Sequence, residues 1–288
     1  MIHTRVAWVL AVSLAVLAVP IVLYRMQREE AALEARLQGI RHRAAEREIP
    51  CAQVRAGRPL VLLALGQSNA GNSGAVGAPP LDPVTLLVDD RCILANDPLP
   101  GATGDGASIW RRLPDSLTRL GVARPVVLSV LAVDATSIDD WTRSSSALRR
   151  KLESQVAAMR ALGLAPDLVL WQQGEADALA GTGAQAYAHS LGELQSALVE
   201  AGANAPVLLA YSTTCRSPVD TAIRSAIETT TADNPHFRLG PDTDVLQGAR
   251  YRRDDCHFSV EGLNAAAKMW AERIKAQLPA SALRSTLP

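Results

Sequence analysis

The chain has 288 residues, with 29 Lys plus Arg against 29 Asp plus Glu, so its formal net charge is zero. A balanced charge with arginines scattered along the chain excludes the basic stripe of a nucleic-acid binder. Four cysteines without C-x-x-C spacing argue against a zinc cluster.

The first element is the run Val6–Tyr24, apolar and uncharged throughout, with Trp8 and Tyr24 near its ends. Its length matches the ~20 residues that cross a hydrocarbon core, and its flanking aromatics suit the interface. It is read as an uncleaved single-pass anchor within residues 1–28. Arg25, Arg28, Arg36, Arg41 and Arg43 follow the run, and the positive-inside count would keep the remainder cytoplasmic. The cysteines favour export instead, so a periplasmic or extracellular domain tethered to the membrane is expected. Residues 29–50, rich in Ala, Glu, Arg and Leu, read as a solvated helical stalk ending at Pro50. Residues 51–288 form the globular domain.

Cysteine spacing leaves free thiols and disulfides both open. If bridges form, the favoured pairs are Cys51–Cys92 and Cys215–Cys256.

From Pro59 onward short Val/Leu-rich segments alternate with helical patterns. The strands are Pro59–Leu65, Thr85–Val88, Pro125–Val133, Leu168–Trp171 and Pro206–Tyr211. The helices are Ile109–Leu120, Ser145–Leu162, Ala184–Ala201, Val219–Thr230 and Val260–Gln277. This alternation predicts an α/β fold: a three-layer α/β/α sandwich with a parallel, flavodoxin-like central sheet. Ligands of such sheets sit beyond the C-terminal strand ends. Ser68, Pro100–Ser108, Val133–Trp141 and Gln172–Asp177 all fall there.

The stretch Ala64–Gly74, ALGQSNAGNSG, presents Ser68 at a tight turn after the first strand. Near the other end, Asp254-Asp255-Cys256-His257 places carboxylates just before a histidine. Serine, histidine and carboxylate are the parts of a nucleophilic triad. Ser68 is inert until a base takes its proton, and Asp254 or Asp255 could set the His257 tautomer. His3, His42, His189 and His236 lack this setting. Gly181-Thr182-Gly183 has neither a P-loop lysine nor a full G-x-G-x-x-G, so it does not indicate nucleotide binding. Trp141 and Trp171 read as core residues rather than sugar-stacking platforms.

In order, Gly66-Gln67-Ser68-Asn69, a glycine in Gly101–Gly106, Trp171–Asp177 (WQQGEAD) and Asp254-x-x-His257 resemble the blocks of the SGNH hydrolases. The GQSN and QGE forms are similar to the sialate O-acetylesterase and acetylxylan esterase branch. The likeness runs from about Pro59 to Gln277. It implies Ser68, His257 and Asp254 as catalytic residues, with no metal or cofactor. It also implies an oxyanion hole made of the Ser68 N–H, the Gly106 N–H (Gly104 second) and the Gln173 side-chain amide. Asn69, Gly174 and Glu175 would support these groups. Two departures stand out: the usual GxN motif is absent, and Asp134–Ile138 replaces a Gly-Gly-Thr-Ser-like loop. The implied activity is removal of acyl groups, foremost acetyl, from a carbohydrate. An O-acyltransferase using the same triad and a non-catalytic carbohydrate-binding relative are the alternatives. The serine follows the first strand, and the acid lies one turn before the histidine. Both features disfavour an α/β-hydrolase.

Overall fold

The computed structural model describes residues 20, 23–38, 40, 47–77 and 81–283. A helix over residues 23–38 (α1) is followed by β1 (Arg47–Ile49), α2 (Cys51–Ala56), β2 (Leu60–Gly66), β3 (Val84–Val88) and β4 (Arg91–Ala95). Then come α3 (Leu113–Arg119), β5 (Val126–Ala132), α4 (Ile138–Thr142), α5 (Ala147–Ala161), β6 (Leu168–Gln172) and α6 (Glu175–Ala180). The chain continues through α7 (Ala184–Ala201), β7 (Val207–Tyr211), α8 (Thr221–Asp233), β8 (Phe237–Asp242) and α9 (Val260–Gln277).

The strands form one sheet in the order β1-β4-β3-β5-β2-β6-β7-β8. This corrects the parallel, flavodoxin-like expectation in two ways. The sheet is mixed, because β4 runs antiparallel to both β3 and β1. A two-residue connection joins β3 to β4, and Asp89 there takes a positive φ of 51°, so the chain reverses at once and occupies the outer edge of β3. The second difference is the position of β5, which fills the gap between β3 and β2 and pairs parallel with both. The flavodoxin-like order has no strand at that place.

Side-chain alternation along β2 explains the layers. Leu60, Leu62 and Ala64 join a core with Trp110 and Trp270 under α3 and α9. Val61, Leu63 and Leu65 join a second core with Trp141 and Trp171 under α5, α7 and α8. Both Trp141 and Trp171 are fully buried and meet edge to face at 5.3 Å. They are packing residues. Disulfides link Cys51 to Cys92 and Cys215 to Cys256, the first tying α2 to β4.

Among the described residues no helix is long and apolar enough to cross a membrane. The structure therefore does not support a single-pass anchor, a membrane partner or an external location inferred from one. The predicted span Val6–Tyr24 lies outside the described residues except for residues 20, 23 and 24. What is described of this region, α1, carries charges along its length and docks on the domain rather than standing in solvent as a stalk. Leu33 is fully buried in the second core. Glu30 accepts from the Ala147 N–H at 2.5 Å and lies 3.3 Å from Arg143. Arg36 donates to the Asp134 carbonyl at 2.5 Å.

Candidate active site

The loops after β2, β5, β6 and β7 leave the same edge of the sheet, and β2 lies between β5 and β6 at its centre. The turn after β2 needs a glycine at position 66. Its φ is +148°, and a Cβ there would stand 2.0 Å from the Gln172 carbonyl oxygen. The chain then makes a 3₁₀ turn, Ser68–Ala70, with Ser68 at its first position. There the Ser68 N–H has no acceptor within the turn.

Three contacts hold this turn. The Trp110 indole N–H donates to the Ala70 carbonyl at 2.7 Å. Gln67 Oε1 accepts from the Ala176 N–H at 3.1 Å. Asn69 Nδ2 donates both to Glu175 Oε1 at 2.7 Å and to the Cys256 carbonyl at 3.2 Å. The last bond joins the residue after Ser68 to the residue before His257, two points far apart in sequence.

On the other side, Asp254 Oδ2 lies 2.8 Å from His257 Nδ1. Its Oδ1 accepts from the backbone N–H groups of His257 at 2.7 Å and Cys256 at 3.2 Å. Burial disfavours the Asp254 charge, but the His257 hydrogen bonds outweigh it and hold the carboxyl at about 2. Asp255 instead takes a positive φ of 60° and accepts through its carbonyl from the Arg216 N–H. The Cys215–Cys256 disulfide staples this segment to the loop after β7. Arg252 braces it from below, donating to the carbonyls of Cys256 (2.6 Å), Leu246 (2.7 Å) and Thr243 (2.9 Å). Ser259 then caps α9, accepting from the Gly262 N–H at 3.1 Å.

Two oxyanion assignments need correction. The Gly106 N–H is donated to the Asn72 carbonyl at 2.6 Å, and a Cβ there would meet the Gly74 carbonyl oxygen at 2.2 Å. Its glycine serves close backbone packing. The Gly104 N–H donates to no acceptor among the described residues. Gly104 has a φ of +92°, and a Cβ would stand 2.8 Å from the Asn72 backbone, so only glycine fits beside the segment that carries Ser68.

Gln173 is also committed elsewhere. It is fully buried, and its amide donates to the Thr136 carbonyl at 3.0 Å and to Asp177 Oδ2 at 2.6 Å. Its Oε1 accepts from the Tyr187 hydroxyl at 2.8 Å. Both side-chain N–H groups and Oε1 are thereby engaged, and the side chain supplies no free donor. Gly174 has a φ of +147° and packs against the Ser212 carbonyl, where a Cβ would lie 2.8 Å away.

Glu175 supports the Ser68 turn rather than Gln173. It accepts from Asn69 and from the Ser212 hydroxyl, both at 2.7 Å. Full burial pushes its carboxyl up to about 7, partly offset by the Asn69 and Ser212 hydrogen bonds and by Arg252. The sequence reading missed Ser212, Arg252 and Asp177, whose side chains connect loops distant in sequence. Asp177 accepts from the Ile138 N–H at 2.8 Å. Its position two residues after Glu175 in the QGEAD block was the one available signal. Among the described residues no group of His, Cys, Asp and Glu side chains is arranged to hold a metal ion.

The Glu175 environment carries a stability prediction. A folded-state pKa raised from 4.5 to about 7 means the native state keeps a proton the unfolded chain releases. Stability should therefore fall as pH rises from about 4.5 through about 7 and then level off. Glu175→Gln keeps the Oε1 acceptor and removes the titration. Its stability relative to the unsubstituted protein should rise by roughly 3 kcal/mol between pH 4.5 and pH 8. Urea unfolding at both pH values measures this, and parallel pH curves for the two proteins would refute it.

The fold has solved counterparts. It is similar to the X-ray structure of a protein from Arabidopsis thaliana, with a TM-score of 0.63 and 18% identity, covering 77% of this chain and 100% of that one. A putative GDSL-like lipase from Parabacteroides merdae gives a TM-score of 0.52 and 15% identity, covering 75% of this chain and 96% of that one. At such identities the likeness concerns the fold. No curated protein matches the chain significantly. The family model described as carbohydrate esterase, sialic acid-specific acetylesterase, matches residues 60–276, which contain the Ser68 turn, the QGE block and the Asp254–His257 pair. The chain thus belongs to the carbohydrate esterase, sialic acid-specific acetylesterase family and is a carboxylic ester hydrolase.

Proposed function

We propose that the protein removes acetyl groups from a carbohydrate through Ser68, His257 and Asp254. The observation that carries this reading is the bond from Asn69 to the Cys256 carbonyl, which ties the Ser68 turn to the Asp254–His257 pair. In the first half-reaction Ser68 Oγ attacks the ester carbonyl carbon while its proton passes to His257 Nε2. Asp254 holds the Nδ1–H and favours the imidazolium. The N–H groups of Ser68 and Gly104 stabilise the oxyanion. Collapse breaks the bond to the sugar oxygen, which takes the proton from His257 and leaves as a hydroxyl, and the acetyl-enzyme remains. Water, deprotonated by His257, then releases acetate and restores the serine.

The test is product partition with an acetylated saccharide, with and without an added sugar acceptor, together with fluorophosphonate labelling of the protein. Acetate release to water should dominate, and the label should map to Ser68. Acetyl groups appearing mainly on the acceptor would make the protein a transferase, and a label absent from Ser68 would remove the mechanism.

A further inference from the structure

The loop after β5 holds one of the two departures from the family pattern, and the reaction as described does not use it. Its first residue, Asp134, brings a carboxylate where a Gly-Gly-Thr-Ser-like loop would carry no charge. β5 runs parallel beside β2, and the Val133 N–H donates to the Gly66 carbonyl at 3.0 Å. Asp134 therefore leaves the sheet next to the turn that presents Ser68.

The main chain of Asp134 is fixed on both sides. Its N–H donates to Thr103 Oγ1 at 2.8 Å, and its carbonyl accepts from Arg36 of α1 at 2.5 Å. Ala135 then turns the chain with a φ of 53°. The side chain reaches the Ser68 loop, because Ser73 Oγ donates to Asp134 Oδ1 at 3.3 Å. That hydroxyl lies 3.2 Å from the place a Cβ on Gly104 would take. One serine side chain thus separates the carboxylate from the glycine whose N–H is assigned to the oxyanion.

The other oxygen, Oδ2, has no hydrogen-bond or ion-pair partner among the described residues and, on a partly exposed side chain, is not buried. An open carboxylate oxygen is a strong acceptor for a sugar hydroxyl. Its charge also acts on other groups that approach. Arg36 faces the Asp134 carbonyl, while Arg216 and Arg253 lie 3.8 and 3.9 Å from the Asp254 carboxylate. A second carboxylate brought beside Asp134 would meet a like charge that no paired cation offsets.

We propose that Asp134 is a specificity-determining residue: its Oδ2 accepts a hydroxyl of the sugar that bears the acetyl group, and its charge turns away sugars that carry a carboxylate. The inference rests on the esterase reading and narrows its substrate class to neutral acetylated sugars. Three esters test it with the full chain. They are 4-nitrophenyl acetate, which has no sugar, a mono-O-acetylated methyl glucoside, and the methyl glucuronide acetylated at the same position.

In the unsubstituted protein kcat/KM should be about tenfold higher on the glucoside than on the glucuronide, and the gap should narrow in about 0.5 M salt. Asp134→Asn should shrink the gap about fivefold, mainly through a lower KM for the glucuronide. Asp134→Ala should raise KM for the glucoside about fivefold, with a smaller change on 4-nitrophenyl acetate. Thermal unfolding checks that both variants keep the fold. The first comparison uses no variant, so it decides even where a substitution unfolds the chain. Three results would each overturn the inference and leave the esterase reading in place. They are equal turnover of the two sugars by the unsubstituted protein, a gap indifferent to Asp134→Asn, or an Asp134→Ala loss as large on 4-nitrophenyl acetate as on the glucoside. Turnover of none of the three esters would instead sink the esterase reading, and this inference with it.

Discussion

Ser68→Ala is expected to lower kcat on an acetyl ester by about 10⁴–10⁶-fold while leaving the fold intact. Only Oγ is removed, and the contacts that hold the turn run through Gln67, Asn69 and Ala70. Ala accepts the 3₁₀ geometry, so the stability change should stay within about 1 kcal/mol. The residual rate reports what donors and binding achieve without the nucleophile. Progress curves over hours at high enzyme concentration measure it, with thermal unfolding as the control. Activity within tenfold of the unsubstituted protein would mean that another group attacks the ester.

Asp254→Asn is expected to cost about 10³–10⁴ in kcat. The carboxylate accepts three hydrogen bonds, from the His257 ring and from the backbone of Cys256 and His257. An amide in its place can satisfy the backbone donors through its oxygen, but it presents N–H groups to Nδ1 and so selects the wrong tautomer. With the carboxyl at about 2, its contribution is complete above the ordinary aspartate range near 4 and is lost as pH falls toward 2. Any acid limb of kcat/KM above pH 4 should therefore belong to another group. Asp255→Asn serves as the comparison, because its carbonyl rather than its position against the imidazole ties it to the loop. A loss for Asp255→Asn equal to that for Asp254→Asn would assign the pair wrongly.

The local signals were strong where one stretch of chain decides its own geometry. Gly66 must be glycine because β2 and β6 approach too closely there for any side chain, and that requirement is visible as GQSN. Asp254 and His257 meet because three residues of tight turn bring them together, which spacing alone suggests. The failures lie where partners come from remote strands. Nothing near Gln173 announces that Thr136, Asp177 and Tyr187 will engage its amide. Nothing near Gly106 announces the Asn72 carbonyl. The β3–β4 hairpin was missed because β4, RCILA, is short and follows β3 after only Asp89 and Asp90.

By itself the sequence determined the alternation of strands and helices, the glycine-dependent turn that presents Ser68, the carboxylate–imidazole pair and the family. These depend on neighbours within a few residues. Only the tertiary structure decided the mixed strand order, the docking of α1, which backbone and amide donors remain free, and the link from Asn69 to the segment before His257. Those depend on which remote groups arrive at the same place, and a hydrogen-bonding group already satisfied by one partner is no longer available to a ligand.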